Sequence, residues 1–184
     1  MEILFTFHPN ESGIQSMSGH SKWSQIKHKK ALTDKKKGQV FSKLSRLITL
    51  AAKKGANPKS NPSLAQAIDN AKAVNMPNEN IERAIKKVSD KDHAQLEELS
   101  VEALGPGGVA LKIKAITDNR NRTMSEIKKI LTENNSKLVQ PGSLTWMFNT
   151  PLTVDDTATK EQVDNLFEAL DDQGEVEDVV SNLA

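Results

Sequence analysis

The sequence predicts an α+β protein in which an all-helical N-terminal domain precedes a ferredoxin-like α+β domain. Three observations lead to this fold class. Apolar residues recur at helical spacing up to residue 89, and they alternate with polar ones from residue 109, after a Gly/Pro turn. The formal net charge is +9 for residues 1–90 and −8 for residues 91–184, although the whole chain carries only +1. The two halves therefore differ in both architecture and charge.

The first domain is predicted to be helical because its apolar residues form one stripe on each segment. From Val40 to Ala51 they occur every three or four positions, which is the spacing of an amphipathic helix. Asn61 is a favourable N-cap followed by Pro62 at the first helical position. Pro77 is expected to open a third helix that continues to Val88. Residues 17–89 are thus predicted to form a basic helical domain.

The second domain is predicted to be a sheet covered by helices. Residues 109–117 alternate between apolar and polar side chains, and Gly105-Pro106-Gly107-Gly108 connects them to an earlier strand. Thr123 to Glu126 has the pattern of a capping box, so a helix is expected to begin at Thr123. Further elements are predicted as strand pieces at Ser136–Val139, Gly142–Phe148 and Leu152–Val154, a helix at Ala158–Asp172 and a last strand at Glu175–Leu183. The α+β domain spans residues 96–184.

The remaining segments are expected to lie outside the two folded domains. Residues 1–16 contain no Lys or Arg and two Glu, which fits neither a secretory signal nor a transit peptide. This segment is predicted to be a flexible extension, with Met17 as the natural start. Residues 90–95 are predicted to be a linker.

A strongly basic run dominates the first domain. Between Met17 and Lys59 there are twelve Lys and Arg and one acidic residue, Asp34. Such a run can neutralise several phosphates of DNA or RNA, whereas an ordinary solvated face would mix both signs. The candidate nucleic-acid-binding residues here are Lys22, Trp23, Lys27, His28, Lys29, Lys30, Lys35, Lys36, Lys37, Lys43, Arg46, Lys53 and Lys54.

Two further arginines lie where a predicted strand ends and a helix begins. Arg120 and Arg122 could form an anion site with the positive end of that helix, as a second nucleic-acid contact. Alternatively, Asp118 and Asn119 form a turn and both arginines are solvated. Trp23 has two interpretations as well, as a base-stacking ring or as a core anchor.

Several classes of function are disfavoured. The absence of Cys excludes disulfides and thiolate zinc sites, and His20 and His28 lack the spacing of a metal pair. Neither a catalytic motif nor a phosphate-binding Gly-rich loop is present, so no enzyme activity, cofactor or metal is expected. No apolar run is long enough to span a membrane. Asp171 and Asp172, at a predicted helix C-terminus, are expected to be solvated.

Five motifs resemble the YebC/PmpR family, which is also known through the mitochondrial translational activator of cytochrome oxidase. They follow one another in the order expected for that family. They are Ser18-Gly19-His20-Ser21-Lys22-Trp23 with Ile26-Lys27-His28-Lys29-Lys30, Asn75-Met76-Pro77 with Asn80-Ile81-Glu82-Arg83-Ala84-Ile85, Gly105-Pro106-Gly107-Gly108-Val109-Ala110, Thr117-Asp118-Asn119-Arg120-Asn121-Arg122-Thr123, and Gly142-Ser143 before Met147-Phe148.

The resemblance implies a cytoplasmic, DNA-binding transcriptional regulator. A competing implication is a ribosome-associated factor that binds ribosomal RNA and activates translation. The family fold is a helical domain followed by two α+β domains, the third inserted within the second. Here the chain runs from Phe148 into the closing elements, so the insert is predicted to be absent near residues 149–151.

The first hypothesis is therefore a nucleic-acid-binding regulator of gene expression, with the ribosome-associated translation factor as its alternative. A second alternative is a protein-interaction module. In that case the acidic α+β domain engages a basic partner, or folds back on the basic domain and masks it.

Overall fold

A computed structural model describes residues 34–89 and 96–184 of the chain. The predicted extension at 1–16 and the predicted linker at 90–95 lie outside the described residues. Residues 34–89, the helical unit, contain α1 (Asp34–Ala52), α2 (Pro62–Ala73) and α3 (Asn78–Lys86), followed by a 3₁₀ turn at Lys87–Ser89. Residues 96–184, the sheet unit, contain β1 (Glu97–Leu104), β2 (Ala110–Thr117), α4 (Arg120–Glu133), β3 (Lys137–Val139), α5 (Thr157–Asp172) and β4 (Val176–Ser181). The predicted α+β class, with helices first, is confirmed.

The apolar stripes of the three N-terminal helices meet in one core. Ile48, Leu64 and Ile81 are fully or almost fully buried there, one from each helix. Small alanines between them let the helix axes approach closely. The apolar residues that recur at helical spacing in the sequence therefore form the core of the helical unit.

Asn61 joins α1 to α2, and its predicted role as an N-cap is confirmed. Its side-chain oxygen accepts a hydrogen bond from the Leu64 amide at 3.1 Å. Its amide nitrogen donates to the carbonyls of Ala51 and Gly55, both at 2.8 Å. One buried side chain thus satisfies backbone groups at the end of one helix and the start of the next.

The sheet has the strand order β3-β1-β2-β4 and is antiparallel throughout. The β1–β2 hairpin forms its centre, in register from Glu97 opposite Thr117 to Leu104 opposite Ala110. The chain order is β-β-α-β-α-β, whereas ferredoxin-like domains follow β-α-β-β-α-β. The central pair is therefore a local hairpin.

Both helices of the sheet unit pack on one face of the sheet. Leu99, Ile113 and Val179 lie in the buried layer below Ile127 of α4 and Phe167 of α5. This core shares no buried residue with the core of the helical unit. The described chain thus has two separate hydrophobic cores. One lies within the three-helix bundle of the helical unit, and the other lies between the sheet and the two helices of the sheet unit.

The turn between β1 and β2 requires glycine at Gly107. Its φ is +67°, and a Cβ at this position would lie 2.7 Å from Cγ2 of Thr159. Any larger residue would combine left-handed strain with a clash against the first turn of α5. The absence of a side chain here allows α5 to sit close to the hairpin.

The predicted strand at Gly142–Phe148 is wrong. Gly142 has a φ of +84°, and the backbone then turns on itself, with the Met147 amide donating to the Leu144 carbonyl at 2.9 Å. The Leu144 amide donates to Oε2 of buried Glu102 at 3.1 Å, which fixes the turn against the sheet. Of the strand predicted at Leu152–Val154, only an isolated bridge between Leu152 and Leu183 forms.

The start of α4 also differs from its prediction. The helix begins at Arg120, and Asn119 is the N-cap, accepting from the Arg122 amide at 3.1 Å. Thr123 is buried inside the helix, where its hydroxyl contacts the hydroxyl of Thr117 at 2.7 Å. Asn competes well with Thr as an N-cap, so the earlier start is physically reasonable.

Asp156 is the N-cap of α5, and its carboxylate is expected to make the stability of the protein depend on pH. Its carboxylate accepts from the hydroxyl of Thr159 at 2.6 Å and from its amide at 2.7 Å, and these bonds hold the pKa of Asp156 below its usual value. A lowered folded-state pKa stabilises the protein above the unfolded-state pKa of about 4 and loses this effect as the pH falls. The thermal midpoint of Asp156→Asn is expected to lie below that of the wild type at pH 7. The two midpoints should converge under more acidic conditions, and a constant difference would contradict this role.

Candidate nucleic-acid interface

The described candidate cations of the first domain are concentrated on α1. Lys35, Lys36, Lys37, Lys43 and Arg46 belong to this helix, and Lys53 and Lys54 follow its last residue. The candidates that lie outside the described residues are Lys22, Trp23, Lys27, His28, Lys29 and Lys30. Since α1 is amphipathic, its orientation decides which cations reach solvent.

The central cations of α1 contact the C-terminal end of α5. Lys43 is only 5% exposed, and its Nζ donates to the main-chain oxygen of Asp171 at 2.6 Å and to its carboxylate at 3.2 Å. Arg46 donates from Nη2 to the main-chain oxygen of Gly174, just beyond the helix. Cations at this end complement the helix dipole and satisfy its last carbonyls. Asp171 is therefore paired, and the expectation that it is solvated was wrong.

Two more cations extend the same face in both directions. Nζ of Lys36 lies 4.0 Å from Oε1 of Glu168, and Nζ of Lys53 donates to the Leu96 carbonyl at 2.8 Å. Within α1, spacings of seven and three residues place side chains on one side of a helix. We call Lys36, Lys43, Arg46 and Lys53 the docked face. The sequence suggested solvent for these candidates, but the structure directs them to the sheet unit.

Other cations of the helical unit are open to solvent. The set that we call the exposed basic surface consists of Lys37, Lys54, Lys59, Lys72 and Lys86. Residues 34–89 contain twelve Lys and Arg against four Asp and Glu, so the unit carries a net charge of +8. Lys59, Lys72 and Lys86 were not among the sequence candidates. A count of the basic and acidic residues in α2, α3 and the adjoining loops would have identified these three lysines as candidates.

A crevice of about 400 Å³ separates the helical unit from the sheet unit. Arg46, Arg83 and Lys87 line its helical side, and Asp118 and Glu175 line the opposite side. Because positive and negative side chains face each other across the crevice, it does not favour the binding of either anions or cations. Apolar side chains line the crevice as well, so it is a boundary of mixed character between two separately packed units.

Arg120 and Arg122 lie in the first turn of α4 and already face carboxylates. Nη2 of Arg122 donates to Oδ1 of Asp118 at 2.8 Å and also to Glu175, and these two bonds raise the pKa of Arg122 above its usual value. Nη1 of Arg120 lies 3.8 Å from Oε2 of Glu97. A phosphate at this helix N-terminus would have to compete with these acids.

The described residues form neither a metal-binding cluster nor a membrane-spanning helix. Within 34–89 and 96–184, no cluster of three or more Asp, Glu or His side chains is placed to hold a metal ion. No helix in the described part of the chain combines the length and the apolar character needed to cross a bilayer.

Comparisons with known proteins agree with the motif resemblance. The family model described as the TACO1/YebC protein N-terminal domain matches residues 21–91, and that of the TACO1/YebC second and third domain matches residues 96–151.

Individual relatives support the same assignment. Proteins of Prosthecochloris aestuarii and Natranaerobius thermophilus, both named "Probable transcriptional regulatory protein", are each 49% identical to this chain over 86% and 83% of its length. The chain spans only 64% and 61% of these two relatives. The crystal structure of the conserved hypothetical protein Aq1575 from Aquifex aeolicus has a TM-score of 0.79 at 30% identity, covering 89% of this chain and 97% of that one. Because the two family models together match more than half of its residues, the chain belongs to the TACO1/YebC family.

Proposed function

We propose that this protein is a nucleic-acid-binding regulator of gene expression that binds DNA through the helical unit. The observation that carries the proposal is the net charge of +8 on residues 34–89, with five lysines of the exposed basic surface open to solvent. The names of the relatives, probable transcriptional regulatory proteins, support a role in transcription. We place this activity in the cytoplasm, and it proceeds by binding rather than by catalysis.

The binding mechanism is neutralisation of backbone phosphates. A lysine ammonium acts as a compact point charge on a flexible stem, which suits phosphate contact without fixed geometry. Each phosphate that is neutralised releases condensed counterions, so affinity depends steeply on salt. Contacts of this kind position a protein on nucleic acid but carry little sequence information.

A second candidate is a translation factor that binds ribosomal RNA, and the composition of α3 favours it. α2 and α3 are separated by four residues, as in a helix-turn-helix motif. However, the exposed side of α3 carries Glu79 and Glu82, and Nη2 of Arg83 is held by Glu79 at 2.9 Å. Carboxylates on a helix that should enter the major groove would be repelled by phosphates. Phosphate contacts alone serve RNA as well as DNA.

The proposal is tested by measuring binding to a labelled DNA duplex and to a ribosomal RNA hairpin by fluorescence anisotropy. With five lysines engaged, the slope of log K against log salt for the duplex is expected to be about −4.5. Tight binding to the RNA hairpin with weak binding to the duplex would transfer the proposal to the translation factor. Absence of saturable binding to both at low salt would refute both candidates.

A further inference from the structure

The docked face presents four cations, three on α1 and one just after it, to oxygen atoms of the sheet unit. Those oxygens belong to carboxylates, Glu168 and Asp171, and to main-chain carbonyls at the end of α5 and at Leu96. A phosphate backbone offers the same kind of ligand, a series of anionic oxygens. We propose that the acidic end of α5 and nucleic acid compete for the docked face, so that docking of the two units withholds part of the binding surface. This inference rests on the proposed function.

The contacts that join α1 to the end of α5 are polar and are suited to opening. The two hydrophobic cores share no buried residue, and the contacts that join α1 to α5 are made by Lys and Arg side chains. Polar interfaces between domains permit relative motion more readily than large apolar ones. The side chains of Lys36 and Glu168 are 32% and 52% exposed, so salt screens their attraction.

Docking also leaves one strong donor unsatisfied. Nε of Arg46 is buried and, among the described residues, has no hydrogen-bond partner, although Nη2 donates to the Gly174 carbonyl. A buried donor without a partner raises the free energy of the docked state. A phosphate can accept from Nε and a terminal nitrogen of arginine together in a bidentate pair. If Arg46 left the sheet unit and bound a phosphate, its Nε would therefore gain the hydrogen-bond acceptor that it lacks in the docked state.

The acids of α5 provide a variant and a matched control. Glu168→Gln with Asp171→Asn removes the two α5 carboxylates that lie within ion-pair distance of α1 and leaves every cation in place. Glu161→Gln with Asp164→Asn makes the same two changes at the same spacing, one heptad earlier on the same side of α5. Both double variants change the net charge equally, so a difference between them reports the contact with α1.

Nucleic-acid affinity is the first measurement. An apparent affinity is reduced by the fraction of molecules whose binding surface is covered. E168Q/D171N is expected to bind a DNA duplex about three- to tenfold more tightly than the wild type, whereas E161Q/D164N should gain less than about twofold. The gain is limited because the Asp171 main-chain oxygen still accepts from Lys43.

Docking itself is measured separately, without nucleic acid. The chain contains no cysteine, so Ala73→Cys on α2 and Asn165→Cys on α5, both at exposed positions, can be labelled as a donor–acceptor pair for energy transfer. The E168Q/D171N exchange should lower transfer efficiency relative to E161Q/D164N, and added duplex should lower it in the unexchanged labelled chain.

The outcomes separate the inference from the function on which it rests. If the wild type binds but E168Q/D171N binds no more tightly than E161Q/D164N, the competition is refuted and the proposed function stands. Unchanged transfer efficiency on adding a duplex that binds would refute it equally. If neither the wild type nor E168Q/D171N binds DNA or RNA, the proposed function fails. Binding by E168Q/D171N alone would support both, with the surface fully withheld in the wild type.

Discussion

Replacing Lys54 and Lys59 by glutamate is expected to weaken DNA binding about 30-fold at low salt. Both lysines are exposed, one just after α1 and the other in the loop before α2. Each reversal removes an attraction to phosphate and adds a repulsion. The effect should shrink as salt rises, and anisotropy titrations at several salt concentrations would follow it.

The matched control exchanges two exposed lysines of the sheet unit. Lys128→Glu with Lys129→Glu changes the net charge of the chain by the same amount, but on α4. This variant is expected to lose less than about threefold in affinity, because long-range repulsion beyond a Debye length is screened. Equal losses in the two variants would show that total charge, not the helical unit, governs binding.

Asn61→Ala is expected to lower the free energy of unfolding by about 3 kcal/mol. Asn61 is only 5% exposed, and the exchange removes the cap of α2 together with the two bonds that its amide nitrogen donates to the carbonyls of Ala51 and Gly55. Loss of an N-cap alone usually costs about 1 kcal/mol, and each of the two further hydrogen bonds lost at this junction adds about 1 kcal/mol. Urea denaturation followed by circular dichroism would measure the difference.

Asn70→Ala serves as the control for this change. Asn70 lies on the exposed side of α2, where its carbonyl accepts from Gln66 at 3.1 Å. Its replacement should alter the free energy of unfolding by less than about 0.5 kcal/mol. An Asn61→Ala loss as small as this would mean that the bonds at the α1–α2 junction contribute little.

Local patterns predicted those parts of the fold that local forces decide. The apolar spacing of α1 placed Ile48 in the core, and the Asn61-Pro62 pair marked the start of α2. Alternation from Val109 onwards identified β2 and its pairing across a Gly/Pro turn. In each case the signal and the stabilising contact lie within a few residues of one another.

The errors arose where a distant group determined the outcome. Residues 142–148 have strand-like composition, but the Leu144 amide is bonded to Glu102 in β1. Lys43 lies outside the apolar stripe of α1, so its sequence position suggested solvent. A hydrophobicity pattern distinguishes apolar from polar faces, and it cannot show that a polar face is covered by the polar end of another unit.

The two units carry opposite net charges, so the molecule is electrostatically polar. Residues 34–89 carry a net charge of +8 and residues 96–184 carry −8. Each of these two segments folds around its own hydrophobic core. Such a chain has a large electric dipole although its net charge is almost zero. In the field of a polyanion it experiences a torque before contact, which turns the helical unit forward and the sheet unit away. A bound molecule would therefore present its acidic surface outward, to whatever basic protein approaches the complex next.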